Sequence, residues 1–196
     1  MKKNQTIEET FALAVQNHRK NNLQVAKKLY KKILNINPND PQSNFLLGTL
    51  SAQTKQFDIA KKLLNRSIEI NPNFADAHNN LGNVLKESGE HQKAISSYEK
   101  AITIQPNYAD AHYNLGIVLK KSGEYQKAIS SYEKAIQIRP NYSEAYNNLG
   151  VLLQELGKYQ KAKSFYQMAV KNEPENLAHL YNLSSLDEEI LHPNLK

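Results

Sequence analysis

Between residues 76 and 105 the apolar positions fall in two helical sets. Ala77, Leu81, Val84 and Leu85 lie on one face of a first segment, at the spacing of an amphipathic helix. Gly89 follows, a residue able to end a helix with φ > 0. From about Glu90 a second segment turns Ala94, Ile95, Tyr98, Ala101 and Ile102 to one side, and Pro106-Asn107 stops it. The pattern predicts a helix pair. The small residues Gly82, Ala94 and Ala101 are expected to let the two helices approach closely, since larger side chains would overpack the contact.

The pair is one of a series. Ser88 to Ile102 reads SGEHQKAISSYEKAI, and 34 residues later Ser122 to Ile136 reads SGEYQKAISSYEKAI. The step of 34 also relates Pro38, Pro72, Pro106, Pro140 and Pro174; Leu47-Gly48, Leu81-Gly82, Leu115-Gly116 and Leu149-Gly150; and Ala26, Ala60, Ala94, Ala128 and Ala162. Tyr30, Tyr98, Tyr132 and Tyr166 keep it too, with Leu64 in the gap, and Ala14 stands where later units have Gly. Thr6 and Glu9 form a capping-box signature for the first helix. The units are 7–40, 41–74, 75–108, 109–142 and 143–176, followed by a terminal capping helix over 177–191. One helix pair cannot bury its apolar faces, whereas stacked pairs bury a continuous core.

A 34-residue period with Leu-Gly, Ala, Tyr, Ala and Pro at these offsets resembles the tetratricopeptide repeat family. The aromatic usual near the start of each unit is here His78, His112 or Tyr146, and the second unit has Leu64 and Ser67 where Tyr and Ala are usual. The resemblance implies an all-α, right-handed superhelical solenoid of antiparallel helix pairs, a single array over residues 1–196. It also implies a concave groove that binds other proteins and performs no chemistry.

On the groove-facing stripe of the third unit lie Asp76, Asn80, Asn83 and Glu87; the matching sets are Asp110, Asn114, Ile117 and Lys121, then Glu144, Asn148, Val151 and Glu155, then Ala178, Asn182, Ser185 and Glu189. Asn80, Asn114, Asn148 and Asn182 form a constant column. Asn competes with the backbone inside a helix, so four at one inward address need a reason. An amide matches both the C=O and the N–H of a peptide group, and a column of them is expected to hold an extended segment by its backbone. The column resembles the asparagine ladder of the O-linked N-acetylglucosamine transferase repeats. In the first two units Ala12 and Leu46, beside Phe11 and Phe45, hold the address, which makes that end more apolar.

Asp76, Asp110 and Glu144 form an acidic column. First-turn acids complement the helix dipole; a preference for basic peptides is the alternative. Lys121 alone among Lys and Arg shares the stripe with Asn114 and Asn148, which disfavours a carboxylate clamp.

Composition narrows the remaining classes. The net charge is +6, of which residues 1–40 hold +5, from eight Lys/Arg against three Asp/Glu. VAKKLYKKIL, residues 25–34, is basic and amphipathic, but Ala26, Leu29, Tyr30 and Ile33 are in phase with the core face, so its lysines are the solvated side. Neither a basic stripe interleaved with aromatics for nucleic acid nor a membrane span is present, and no apolar leader opens the chain. With no Cys, thiol chemistry is absent. His78 and His112 repeat at a packing address and fall short of a zinc ligand set. The expectation is a cytoplasmic protein without cofactor, metal or enzymatic activity.

Leu177 to Leu191 is a first helix without a second, and Ile190 and Leu191 lack an obvious cover, which points to self-association through them as one possibility. The run AHLYNLSSLDEEILHPNLK is similar to the junction at which bacterial repeats of this family enter a sulfotransferase-like domain. That likeness, with the ladder, implies an alternative role as the substrate-recruiting region of a larger glycosyltransferase or sulfotransferase.

Overall fold

The computed structural model describes residues 6–191, with side chains as far as Leu186. These residues form eleven α-helices and no strand. They divide into two compact units, the first ending at Ile104 and the second beginning at Gln105.

The first unit contains α1 (Ile7–Arg19), α2 (Leu23–Ile36), α3 (Pro41–Gln53), α4 (Phe57–Ile70), α5 (Ala75–Glu87) and α6 (His91–Ile104). Each odd helix packs against the even helix after it, and α3 and α5 also pack against the even helix before them. The start of α1 is set by a complete capping box. The Thr6 hydroxyl accepts from the Glu9 backbone N–H at 3.1 Å, and the Glu9 carboxylate accepts from the Thr6 N–H at 3.2 Å. Asp40 caps α3 in the same sense, with Pro41 in its first turn. The second unit contains α7 (Ala109–Lys121), α8 (Tyr125–Ile138), α9 (Ser143–Glu155), α10 (Tyr159–Asn172) and α11 (Leu177–Leu191). Here α7 packs on α8 and α9 on α10, while α11 lies against α10 and α9.

The 34-residue columns are the core. Tyr30, Leu64, Tyr98, Tyr132 and Tyr166 are all at least 99% buried, and Ala26, Ala60, Ala94, Ala128 and Ala162 are fully buried. What the Leu-Gly glycines make room for differs from the close helix approach expected. A Cβ on Gly82 would stand 2.6 Å from Cε1 of Tyr98, and one on Gly116 or Gly150 would stand 2.7 Å from the Tyr132 or Tyr166 ring. The glycine is a seat for the tyrosine ring of the next helix.

The turn between the two helices of a pair takes φ near +78° at Gly89, +77° at Gly123 and +70° at Gly157. In the first two repeats Asn21 (φ 59°) and Lys55 (φ 57°) hold that conformation. A second recurring device fixes the entry to α3, α5 and α7. The Nε2–H of His78 donates to the Pro72 carbonyl at 3.0 Å, and His112 does the same to Pro106. Asn44 reaches the Pro38 carbonyl through its amide at 3.1 Å. Burial lowers the pKa of both histidines, outweighing the hydrogen bond that would raise it, with Lys100 and Lys134 adding to the depression.

Candidate functional site

In the first unit the candidate surface is carried by α5, with α3 and α1 beside it. Asn80 is half-buried, and its amide donates to the Thr49 hydroxyl of α3 at 3.0 Å. Thr49 in turn donates to the Phe45 carbonyl at 3.0 Å, so the side chain of one repeat is tied to the backbone of the one before. The Asn83 carbonyl oxygen accepts from the buried Tyr98 hydroxyl at 2.8 Å. Asn83 thus braces the core tyrosine. Asp76 is exposed at the start of α5. Toward the N-terminal end Phe45 and Phe74 meet in a tilted contact, their ring centroids 4.7 Å apart. A cavity of about 550 Å³ on α1 is walled by Phe11, Ala12 and Val15 and rimmed by Arg19 and Lys20, the apolar end that Phe11 and Ala12 foretold.

In the second unit Asn114 and Asn148 are half-buried on α7 and α9. The Asn148 amide donates to the Tyr113 hydroxyl at 2.9 Å, and the Asn182 amide on α11 donates to the Asn147 carbonyl oxygen at 2.9 Å. Asn80, Asn148 and Asn182 therefore share one habit: an amide N–H reaches back to the preceding repeat. An amide has two donors and an acceptor oxygen, so this bond uses one of its two N–H groups.

The acidic column is not uniform. Asp110 is held by Arg139 in a two-pronged contact at 2.9 and 3.2 Å and by the Tyr142 hydroxyl at 3.0 Å. The Arg139 guanidinium lies 4.4 Å from the centre of the Tyr142 ring, a cation–π arrangement. Burial and the Asp110 carboxylate both raise the Tyr142 hydroxyl above its ordinary pKa. Asp110 thus spends its charge locking the α8–α9 turn onto α7. Glu144 remains exposed and accepts from the Ser143 hydroxyl at 3.2 Å.

Tyr113, Arg139 and Tyr142 carry this surface and were not singled out by the stripe. Tyr113 sits one residue before the asparagine column, and Arg139 occupies the loop; only their aromatic and charged chemistry could have flagged them. Below them Ile117, Lys120, Lys121, Tyr125, Asn148 and Glu155 surround a cavity of about 310 Å³.

Among the described residues no group of three or more His, Asp or Glu side chains is arranged to hold a metal ion. No described helix is long and apolar enough to cross a membrane. The exposed stripe of α11 comprises Leu177, Leu180 and Tyr181; the side chains of Ile190 and Leu191 lie outside the described residues.

Helix pairs repeating at a fixed step, with a ring of the second helix seated on a glycine of the first in the last three complete repeats, define an all-α helical-repeat protein. Models of the tetratricopeptide repeat match residues 41–74, 63–96, 82–123 and 108–172. The solved structure of MamA is 30% identical, with a TM-score of 0.76, over 83% of this chain and 95% of MamA. The chain belongs to the tetratricopeptide repeat family. The fold is also that of YrrB, described as a TPR protein with an unusual peptide-binding site, at 19% identity and a TM-score of 0.72 over 90% of this chain and 91% of YrrB. PilF of Pseudomonas aeruginosa shares it at 18% identity and a TM-score of 0.82, over 96% of this chain and 92% of PilF. No protein of curated function matches.

Proposed function

We propose that this chain is a non-catalytic interaction scaffold that binds an extended segment of a partner protein along its odd-numbered helices. The supporting observation is the asparagine column. Asn80, Asn114, Asn148 and Asn182 are half-buried, and the bond back to the preceding repeat holds the amide of Asn80, Asn148 and Asn182 in one orientation. A fixed amide loses little rotamer freedom on binding. The peptide-binding site named for YrrB and the 30% identity to MamA make protein recognition the natural use of such a surface.

Adjacent helices pack about 8–10 Å apart and an extended chain rises about 3.3 Å per residue, so one rung serves about three residues of ligand. Each bond is worth about 0.5–1.5 kcal/mol net. Three rungs together amount to about 1.5–4.5 kcal/mol, or about tenfold to a thousandfold in affinity. Asp76, Asn83 and Glu144 border the path, and the acids there favour basic residues in the ligand.

The test is binding of a random extended-peptide library to the wild type and to a variant with Asn80, Asn114 and Asn148 changed to Ala. Thr49→Val serves as control, since it removes the inter-repeat bond of Asn80 and keeps the amide. The triple variant should lose binding with helical content retained, and Thr49→Val, which frees the Asn80 amide, should lower affinity by less than the triple variant does. Equal binding by the triple variant would sink the ladder reading.

A second reading, self-association through α11, draws on a specific contrast. Leu177 is 79% and Tyr181 72% exposed, whereas Ser143 at the address of Leu177 is 1% and Tyr146 at that of Leu180 is 8% exposed. In the complete repeats the second helix covers that face. Light scattering over a concentration series tests it, and a monomer throughout excludes it. The recruiting region of a larger glycosyltransferase or sulfotransferase would use the same groove, and a catalytic domain in the same open reading frame would establish that role.

A further inference from the structure

Three of the four core tyrosines spend their hydroxyl inside the protein. The Tyr98 hydroxyl donates to Asn83 at 2.8 Å, the Tyr166 hydroxyl to Gln154 at 2.7 Å, and the Tyr30 hydroxyl shares a 3.4 Å bond with Nδ1 of His18. Tyr132 is equally buried, at 1% exposure, yet its hydroxyl has no partner among the described residues. The cause is in the sequence of α7. The residue at the address of Asn83 is Ile117, which has no acceptor. The residue at the address of Gln154 is Lys120, which turns instead to Glu155 at 2.6 Å.

Both of those addresses line the cavity of about 310 Å³ beside the asparagine column, as does Tyr132 itself. The Tyr132 ring is buried, but its hydroxyl opens onto this space, which is lined by donors. Lys121 is exposed at its rim and adds a second positive charge against the single carboxylate of Glu155. Asn148 contributes its amide, and the Tyr125 ring and Ile117 supply an apolar wall. Burial, with Tyr113 and Glu155 nearby, raises the Tyr132 hydroxyl above its ordinary pKa, so it remains a donor at neutral pH.

We infer that the cavity bounded by Tyr132, Lys121, Asn148 and Ile117 is a side-chain subsite of the groove that takes the carboxylate of an acidic residue. The Tyr132 hydroxyl donates to one carboxylate oxygen, Lys121 supplies the countercharge, and the methylenes of the ligand side chain lie on Ile117 and the Tyr125 ring. A charged acceptor is favoured over a neutral carbonyl because the donors outnumber the acceptor and the net charge is positive. The subsite rests on the groove reading insofar as the acidic residue belongs to a bound segment. It gives the second unit a sequence preference that a backbone-reading ladder lacks.

The first experiment does not depend on peptide binding. N-acetylglutamate amide and N-acetylglutamine amide are titrated into protein carrying ¹³Cζ-labelled tyrosine, and the Tyr132 resonance is followed. The glutamate probe should move that signal saturably and the glutamine probe should not; no movement with glutamate overturns the subsite, whatever the groove does. In the second, peptides with Glu at one position are compared with their Gln counterparts. Glu peptides should bind about tenfold tighter, the scale of one charge-assisted hydrogen bond. Tyr132→Phe and Lys121→Ala should each erase that ratio and leave Gln peptides unaffected. Because its hydroxyl bonds nothing in the protein, Tyr132→Phe should keep the urea midpoint, whereas Tyr98→Phe and Tyr166→Phe should lower it. A Glu/Gln ratio that survives Tyr132→Phe refutes the assignment; total absence of peptide binding with an intact glutamate shift refutes the ladder and leaves the subsite standing.

Discussion

The seat beneath each tyrosine makes a sharp prediction at Gly82. An Ala Cβ there would lie 2.6, 2.7 and 2.9 Å from Cε1, Cδ1 and Cζ of Tyr98. Carbon atoms in contact sit about 3.5–4.0 Å apart, so the ring must retreat by about 1 Å. The ring is fully buried, and its hydroxyl is anchored on Asn83, which leaves it little room. Overpacking of this kind costs about 1–3 kcal/mol. Against it, Gly→Ala in a helix interior gains about 1 kcal/mol in propensity. Gly82→Ala should therefore destabilise by up to about 2 kcal/mol. In a Tyr98→Ala background the clash is gone and the propensity gain remains, so the same substitution should stabilise by about 1 kcal/mol. Urea unfolding of the four proteins, followed by far-UV circular dichroism, closes a double-mutant cycle with a coupling of about 1–3 kcal/mol. An equal cost of Gly82→Ala in both backgrounds would refute the idea that the glycine is kept for the ring. The first repeat offers a natural comparison, since Ala14 and Tyr30 coexist there, both fully buried.

Two further predictions concern the turns and the histidines. Lys55 holds φ 57° where later repeats have Gly; the left-handed conformation costs a side-chain-bearing residue about 1–2 kcal/mol, and glycine gives back about 0.5–1 kcal/mol in chain entropy, so Lys55→Gly should raise stability by about 0.5–1 kcal/mol in urea titrations. His78 and His112 have folded pKa values below the ordinary 6.5; the unfolded chain then binds more protons just below that value, so their contribution is full above about pH 6.5 and is lost as pH falls through the depressed folded values. Urea midpoints measured from pH 7.5 down to 5 should show this decline, and replacing both by Asn, which does the same work at residue 44 through its bond to Pro38, should flatten it.

The fold was legible because its signals repeat in phase. Pro, Leu-Gly, Ala and Tyr at one step of 34 mark the core columns in the sequence itself, and Thr6 with Glu9 marks the first cap. The site was less legible because its bonds leave that step. Asn80 meets Thr49 at a separation of 31, Asn148 meets Tyr113 at 35, and Arg139 meets Asp110 at 29. Comparing equal addresses cannot reveal partners that lie at unequal ones. The role of the Leu-Gly glycines was read as helix proximity, whereas the structure places an aromatic ring there, because the pattern encodes smallness and not what fills the space. The Tyr132 hydroxyl escaped notice for a related reason: its address is constant, and the exception lies in the residues opposite it, Ile117 and Lys120.

The tyrosine seats also bear on how the chain acquires its structure. In each of the last three complete repeats, sixteen residues separate the glycine from the ring that covers it, as from Gly82 to Tyr98. Contacts so close along the chain close in well under a microsecond, and a topology built from them folds quickly for its size. A nascent chain need only expose one helix pair beyond the ribosome to form a complete seat. Folding during synthesis can then advance one hairpin at a time, each serving as the template for the next.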